Sequence, residues 1–311
     1  MPLLRKRAQL AAKIETTSGT LESFANSDAA FNVFDVSMTP NITFTERQGN
    51  GSFSQMPSIA EAYGATCTFT TEIYGDGAGG VPTWASTFLP ACGWVNSAGT
   101  FSPKSDDAGT DVKTLSLGLY VDGLRWQMRG CAGTYKVTCE SGKLARIEWT
   151  FQGAYVGCDD ETMLTPTYPT AKPIRVSAAT FTIGSASPCF SQLEIDAGNE
   201  VFLRPCAGAT GASGLAGAII TGRKVNGTID PETVLIATKD VWGNWLTSTE
   251  EAFSFAIANS TDKVTFAMPK FQITNLQAGD RDGMLIDTIT YQANRSAAAG
   301  NDELTIAFAA P

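Results

Sequence analysis

Residues 146–153 read Arg-Ile-Glu-Trp-Thr-Phe-Gln-Gly, and the apolar members Ile147, Trp149 and Phe151 fall on every second position. A period of two marks a half-buried strand, whose successive side chains point to opposite faces. The same alternation returns in Thr68-Phe69-Thr70, in Lys263-Val264-Thr265-Phe266 and in Asp302-Glu303-Leu304-Thr305-Ile306-Ala307-Phe308. Thr, Val, Ile and aromatic residues dominate these runs, as a pleated surface favours. Gly123, Gly142 and Gly283 separate them, where tight turns call for positive φ. Only Thr83 to Ala91 and Asp240 to Thr247 read as helices, and Pro82 suits the first turn of the former. The chain is therefore expected to be mainly β.

The opening stretch has a second copy. Trp149-Thr150-Phe151-Gln152-Gly153 recurs as Ile289-Thr290-Tyr291-Gln292-Ala293, an offset of 289 − 149 = 140. Tyr135-Lys136-Val137-Thr138 recurs as Phe271-Gln272-Ile273-Thr274 at offset 136. Phe44-Thr45 matches Phe181-Thr182, and Phe53-Ser54-Gln55-Met56 matches Phe190-Ser191-Gln192-Leu193, both at offset 137. Matches in one order at nearly constant spacing imply an internal duplication. Trp84 aligns with Trp242 only at offset 158, which places about twenty extra residues near 196–218 of the second half. A first-half insertion, 96–111, returns the offset to near 137. Both insertions read as loops. The division is then an arm over 1–30, one β domain over 31–165 and a second over 166–311. Each domain is expected to be a β-sandwich or half-barrel with one short helix. The arm, with Arg5, Lys6, Arg7 and Lys13, is expected to order on a partner.

Bulk composition narrows the function. Hydrophobic residues make up 43% and charged residues 17% of the 311, enough for a substantial core. Lys and Arg number 22 against 31 Asp and Glu, a net charge of −9, which argues against a protein that coats nucleic acid. Histidine is absent from the chain, which removes Ser-His-Asp and Cys-His catalysis and most zinc hydrolase sites. The 7 cysteines contain no Cys-x-x-Cys pair and read as small buried hydrophobes. The first residues lack the apolar core of a secretory signal, and no run of eighteen apolar residues suggests a membrane-spanning helix.

The motifs that resemble chemical sites read better as turns. Gly75, Gly77 and Gly80 match a dinucleotide-loop spacing, but no parallel βαβ pattern surrounds them and Asp76 would repel phosphate. A hairpin tip is expected there. Asp280-Arg281-Asp282-Gly283 starts like a calcium loop, but its glycine comes too early and the downstream Glu is missing. A charged turn is expected there. The pairs Asp106-Asp107 and Asp159-Asp160 read as solvated loop or linker carboxylates. No catalytic residue, metal site or cofactor is expected.

The run Leu4-Arg5-Lys6-Arg7 onward to Glu15-Thr16-Thr17-Ser18-Gly19-Thr20 resembles the opening of siphophage tail tube proteins. Trp84 to Trp94, Gly133 to Gly153 and the closing strands Asp280 to Ala293 and Asn301 to Ala309 are similar to the same family. The resemblance implies β-sandwich domains, ringed so that inward sheets join into a barrel, with rings stacked into a tube. A duplicated chain would then close a pseudo-hexameric ring with three copies. It implies partners as well: further copies of the chain, the tape-measure protein, the tail terminator and distal tail proteins. Viral DNA would pass through without specific binding. The location implied is the virion tail, reached from the host cytoplasm during assembly. Leu3, Leu4, Arg5, Lys6, Arg7, Phe101, Lys104, Asp106 and Asp107 are the candidate contacts between rings. Three alternatives stay open at this point. They are a tube subunit of another tail-like particle (gene-transfer agent, bacteriocin or secretion tube), a carbohydrate-binding β-sandwich, and a paired-carboxylate enzyme.

Overall fold

The structure, a computed structural model, describes residues 3–49, 51, 53–105, 112–177, 179–209, 211 and 213–311. The first half runs β1 (Ala8–Ile14), β2 (Val33–Gln48), β3 (Gln55–Glu72), α1 (Thr83–Ala91), β4 (Trp94–Ser97), β5 (Thr100–Pro103), β6 (Leu115–Val121), β7 (Leu124–Glu140) and β8 (Arg146–Asp160). The second runs β9 (Thr180–Ile183), β10 (Phe190–Asp196), β11 (Asn199–Pro205), β12 (Leu215–Arg223), β13 (Asn226–Pro231), α2 (Val241–Leu246), β14 (Glu250–Ala258), β15 (Lys263–Arg281), β16 (Met284–Ala293) and β17 (Thr305–Ala309). The protein is mainly β, and both helices fall where the sequence places them.

Hydrogen bonding orders the first half β2-β3-β8-β7-β6-β1 and the second β10-β13-β16-β15-β14-β9, antiparallel throughout. The two orders are the same, element for element. Register confirms the match: Trp149 faces Phe69 across β8 and β3, as Ile289 faces Ile229 across β16 and β13. The leading strands even share an irregularity, between Phe34 and Ser37 in β2 and between Phe190 and Leu193 in β10.

This topology corrects part of the sequence alignment. Phe44 lies in β2 while Phe181 lies in β9, and Phe53 precedes β3 while Phe190 begins β10, so those pairs are not equivalent. Alternating Phe and Thr recur on many strands, so short matches of that type align by composition. The Trp149–Ile289 and Trp84–Trp242 matches do join equivalent elements. The insertions are structured as well. In the second half, β11 (Asn199–Pro205) and β12 (Leu215–Arg223) pair as a separate two-stranded sheet. Part of 96–111 belongs to the β4–β5 hairpin, and 106–111 lie outside the described residues. The arm is only partly an arm, because residues 8–14 pair with β6 and bury Leu10, Ala11 and Ala12. Three adjacent buried residues conceal the alternation that would have revealed a strand.

One hydrophobic cluster spans both halves. In the first, Phe69, Phe88, Trp149 and Phe151 pack ring on ring with centroids 4.9–6.3 Å apart. Offset and tilted rings of this kind add to the stabilisation from burial alone. The Trp149 indole N–H donates to Thr71 Oγ1 at 2.9 Å, so its polar edge is satisfied. In the second half Phe253, Phe271 and Tyr291 form the matching group, and the Tyr291 hydroxyl donates to the Glu194 carbonyl at 2.8 Å. The helices differ sharply. Trp84 on α1 is 1% exposed, whereas Trp242 on α2 is 37% exposed and Leu246 79%.

Candidate assembly surface

The halves are welded by a strand pair. The end of β7 pairs antiparallel with β10, in register from Lys136↔Asp196 to Gln192↔Glu140. The weld makes one continuous run, β2-β3-β8-β7-β10-β13-β16-β15. On one face lie Phe69, Trp149, Val137, Ile195, Ile229 and Ile289, all buried. The opposite face is polar along the rows Thr68↔Thr150↔Thr134, Thr70↔Glu148↔Lys136↔Asp196, Thr138↔Glu194↔Thr228↔Thr290 and Asn226↔Gln292↔Gln272. Acidic residues outnumber basic ones on that face, with Glu72, Glu140, Glu148, Glu194, Asp196 and Asp230 set against Lys136, Arg146 and Arg281. Lys136 pairs with Glu194 at 2.8 Å, and that bond holds its ammonium above the ordinary lysine value against partial desolvation.

Two further contacts fasten the weld. The segment before β9 crosses to the first half. The Ile174 amide donates to the Ile73 carbonyl at 2.8 Å and the Ala145 amide to the Ile174 carbonyl at 3.1 Å. Val176 exchanges bonds with the β7–β8 turn, giving to Lys143 and accepting from Gly142, each at 2.8 Å. Ile174 and Val176 are buried. The second contact is the Gly75–Gly80 loop. It is the β3–α1 connection and not a hairpin tip, and its Gly77 and Gly79 amides donate to the Asp262 carboxylate in the β14–β15 turn.

The elements equivalent to β7 and β10 are β15 and β2. Among the described residues, β2 pairs only with β3, and β15 beyond Ile273 pairs only with β16. Each therefore presents an open edge where its counterpart is welded. An exposed strand edge is a template for another strand. Exposed large apolar residues include Leu3, Leu4, Phe34, Phe44, Phe53, Met56 and Ile59 on the first half, and Leu235, Ile236, Trp242, Leu246, Met284 and Leu285 on the second. Beyond Gly64 the β2–β3 hairpin leaves β8 and continues as a two-stranded projection, a form of marginal stability by itself.

The residues singled out by sequence separate into groups. Leu3, Leu4, Arg5, Lys6 and Arg7 form an exposed corner. The Leu4 amide donates to Asp122 Oδ2 at 2.8 Å, and Arg7 pairs with the same carboxylate. Phe101 is a correction, since it lies in the core at 0% exposure, edge-on to Phe308, and offers no surface. It alternates inward on β5, which pairs with β17. Lys104 lines a polar cleft of about 800 Å³ with Arg223, Lys224, Glu250, Arg295 and Glu303. Arg223 sits 5.0 Å over the Trp94 ring and pairs with Glu303 at 2.5 Å. Asp106 and Asp107 lie outside the described residues.

Other expectations resolve simply. Asp280–Gly283 is a charged turn, with Asp282 and Gly283 at φ 53° and 84° joining β15 to β16. Asp159 and Asp160 belong to β8 and not to a loop. Asp159 is held below its ordinary value by hydrogen bonds from Arg125. Cys67, Cys92, Cys131 and Cys139 are buried, whereas Cys158 and Cys189 are exposed and Cys206 is intermediate. Burial pushes the Cys67 and Cys139 thiols up to about 12. Among the described residues no group of three or more His, Cys, Asp or Glu is arranged to hold a metal, and no helix is long and apolar enough to cross a membrane.

A family model described as phage tail tube protein covers residues 5–293. No curated protein matches the chain.

Proposed function

This chain belongs to the phage tail tube protein family, and on that premise we propose that three copies close a pseudo-sixfold ring and that such rings stack into the tail's DNA conduit. A structural subunit of a virion tail self-assembles into a tube, and the open edges of β2 and β15 are the observation that carries the ring reading. They are the counterparts of β10 and β7, which are joined inside the chain. Repeating that joint between copies would pair Met38 of one copy opposite Ala278 of the next, as Ile195 faces Val137. Head-to-tail contacts of this kind either close a ring or propagate without end. Closure also removes the two open edges of the joined run, those of β2 and β15.

In such a ring the polar face of the joined sheet is the lumen. Its excess of Glu and Asp repels phosphate, so a duplex slides without sticking. The domains 31–165 and 166–311 are then the two quasi-equivalent units, the first completed by β1 from the arm as the second is by β9. Lys104 and the segment bearing Asp106 and Asp107 are retained as fasteners between rings. The tape-measure, terminator and distal tail proteins of a siphophage are the expected partners, with assembly in the host cytoplasm.

Electron microscopy of the purified chain at rising concentration tests the reading. Three-fold rings of six similar lobes, alone or stacked as hollow tubes, are expected. A compact monomer at every concentration, even with a tail-tip complex added as initiator, would overturn it.

A further inference from the structure

The internal weld uses more than a strand pair, and its remaining parts have unused counterparts. β1 and β9 correspond through their partners. Leu10 faces Leu119, two residues before the Val121↔Leu124 pair that closes the β6–β7 turn. Thr180 faces Ala256, two residues before the Ala258↔Lys263 pair that closes the β14–β15 turn. Counting back six residues from each brings Leu4 onto Ile174, Arg5 onto Arg175 and Lys6 onto Val176. Both segments are tied to the turn of their own half, Leu4 through Asp122 and Lys172 through the Asn259 side-chain amide at 3.2 Å.

From there Ile174 continues into the other half's seam, between Ile73 and Ala145, and is fully buried. The corresponding seam exists on the second half. The Thr233 amide donates to the Leu285 carbonyl at 3.0 Å, as the Ile73 amide donates to Ala145 at 3.0 Å. Leu285 is 59% exposed, and the segment that corresponds to Ile174, the Leu3–Arg7 corner, is exposed as well.

We propose that residues Leu3–Arg7 of one copy lie in the seam between Thr233 and the Asp280–Leu285 hairpin of its neighbour, with Leu4 buried against Leu285. The inference rests on the ring reading and names the contact that locks it. Charge agrees with shape. Val176 crosses the Gly142–Lys143 turn, and the equivalent turn of β15–β16 carries Asp280 and Asp282, to which a neighbour brings Arg5 and Lys6. Arg7 keeps its own Asp122. A groove of about 420 Å³ joins Leu3 and Arg5 to Val36, Ser37 and Met38, so the corner and the open β2 edge form one continuous surface. The same residues are therefore contacts within a ring and not between rings.

Disulfide trapping tests this. The chain carrying Leu4→Cys and Leu285→Cys, with Cys158, Cys189 and Cys206 changed to Ser, is assembled and oxidised. Covalent species up to the full ring are expected, and none from either single variant. A charge exchange gives an independent readout. Lys6→Glu or Asp282→Lys alone should raise the concentration for half-assembly about tenfold, and the pair should restore it. Rings that form normally without cross-linking, or single charge variants that assemble like the parent, overturn the seam and leave the ring reading intact. A parent chain that forms no rings overturns both.

Discussion

Asp262, in the turn between β14 and β15, accepts the Gly77 backbone N–H at 3.0 Å across 185 residues of sequence. The same oxygen accepts from Gly79 at 3.1 Å, and the residue is 1% exposed. A buried carboxylate serving two amides is strongly committed, because removing it strands both donors. Asp262→Ala should therefore cost about 3 kcal/mol of stability, and Asp262→Asn clearly less, since an amide oxygen still accepts. Urea unfolding of the monomer measures both. Equal losses would show that a neutral acceptor cannot serve the clasp and that the carboxylate charge carries it.

The two equivalent tryptophans should behave unequally. Trp84 is buried against Trp149 and Phe308, at 6.1 and 5.7 Å between centroids, and its indole N–H donates to the Tyr74 carbonyl. Trp84→Ala should cost about 3–5 kcal/mol. Trp242 is more than a third exposed, and its substitution in the isolated chain should cost about 1 kcal/mol or less. Thermal or urea melts of the two variants decide this, and similar losses would contradict the burial difference.

That asymmetry also explains what the sequence conceals. The strands around Trp149 and Ile289 are legible because one face is buried and the other polar, and such alternation survives duplication. The Asn199–Arg223 hairpin is not legible, because Gly- and Ala-rich residues pack closely without an apolar stripe. A Cβ added at Gly130 would lie 2.6 Å from Gly217 Cα. Phe101 falls within the inserted stretch 96–111, which reads as a loop; its burial depends on β17, some two hundred residues onward. The assembly surface is least legible of all. Nothing local marks Leu3 or Leu235 as unpartnered, and only the repeated topology shows which edges lack a mate.

Asp287 supplies a pH test. It is nearly buried on β16, and desolvation raises its carboxyl above the ordinary value, with the Thr233 and Trp242 side chains opposing. The native state thus keeps this proton to a higher pH than the unfolded chain does. Stability from this group falls as pH rises from the ordinary carboxylate value through the raised one. Asp287→Asn should melt at a higher temperature than the parent at neutral pH, and the gap should close on acidification to about pH 3. A gap that is constant with pH would mean that Asp287 does not titrate in this interval.

The lumen reading makes the most direct functional demand. Glu72 and Glu148 lie on the polar face, opposite Arg146 and Thr70 respectively. Changing both to Lys reverses two charges per chain without entering the apolar face, so folding and ring formation should persist. Lysines aimed at a passing duplex would bind phosphate and release counterions, an attraction that weakens steeply with salt. Particles built from Glu72→Lys, Glu148→Lys subunits should release DNA several-fold more slowly at low salt and approach the parental rate at high salt. The time course of DNA release from assembled particles measures it. Parental kinetics at every salt concentration would mean that this face does not line the passage, and the joined sheet would have to face outward instead.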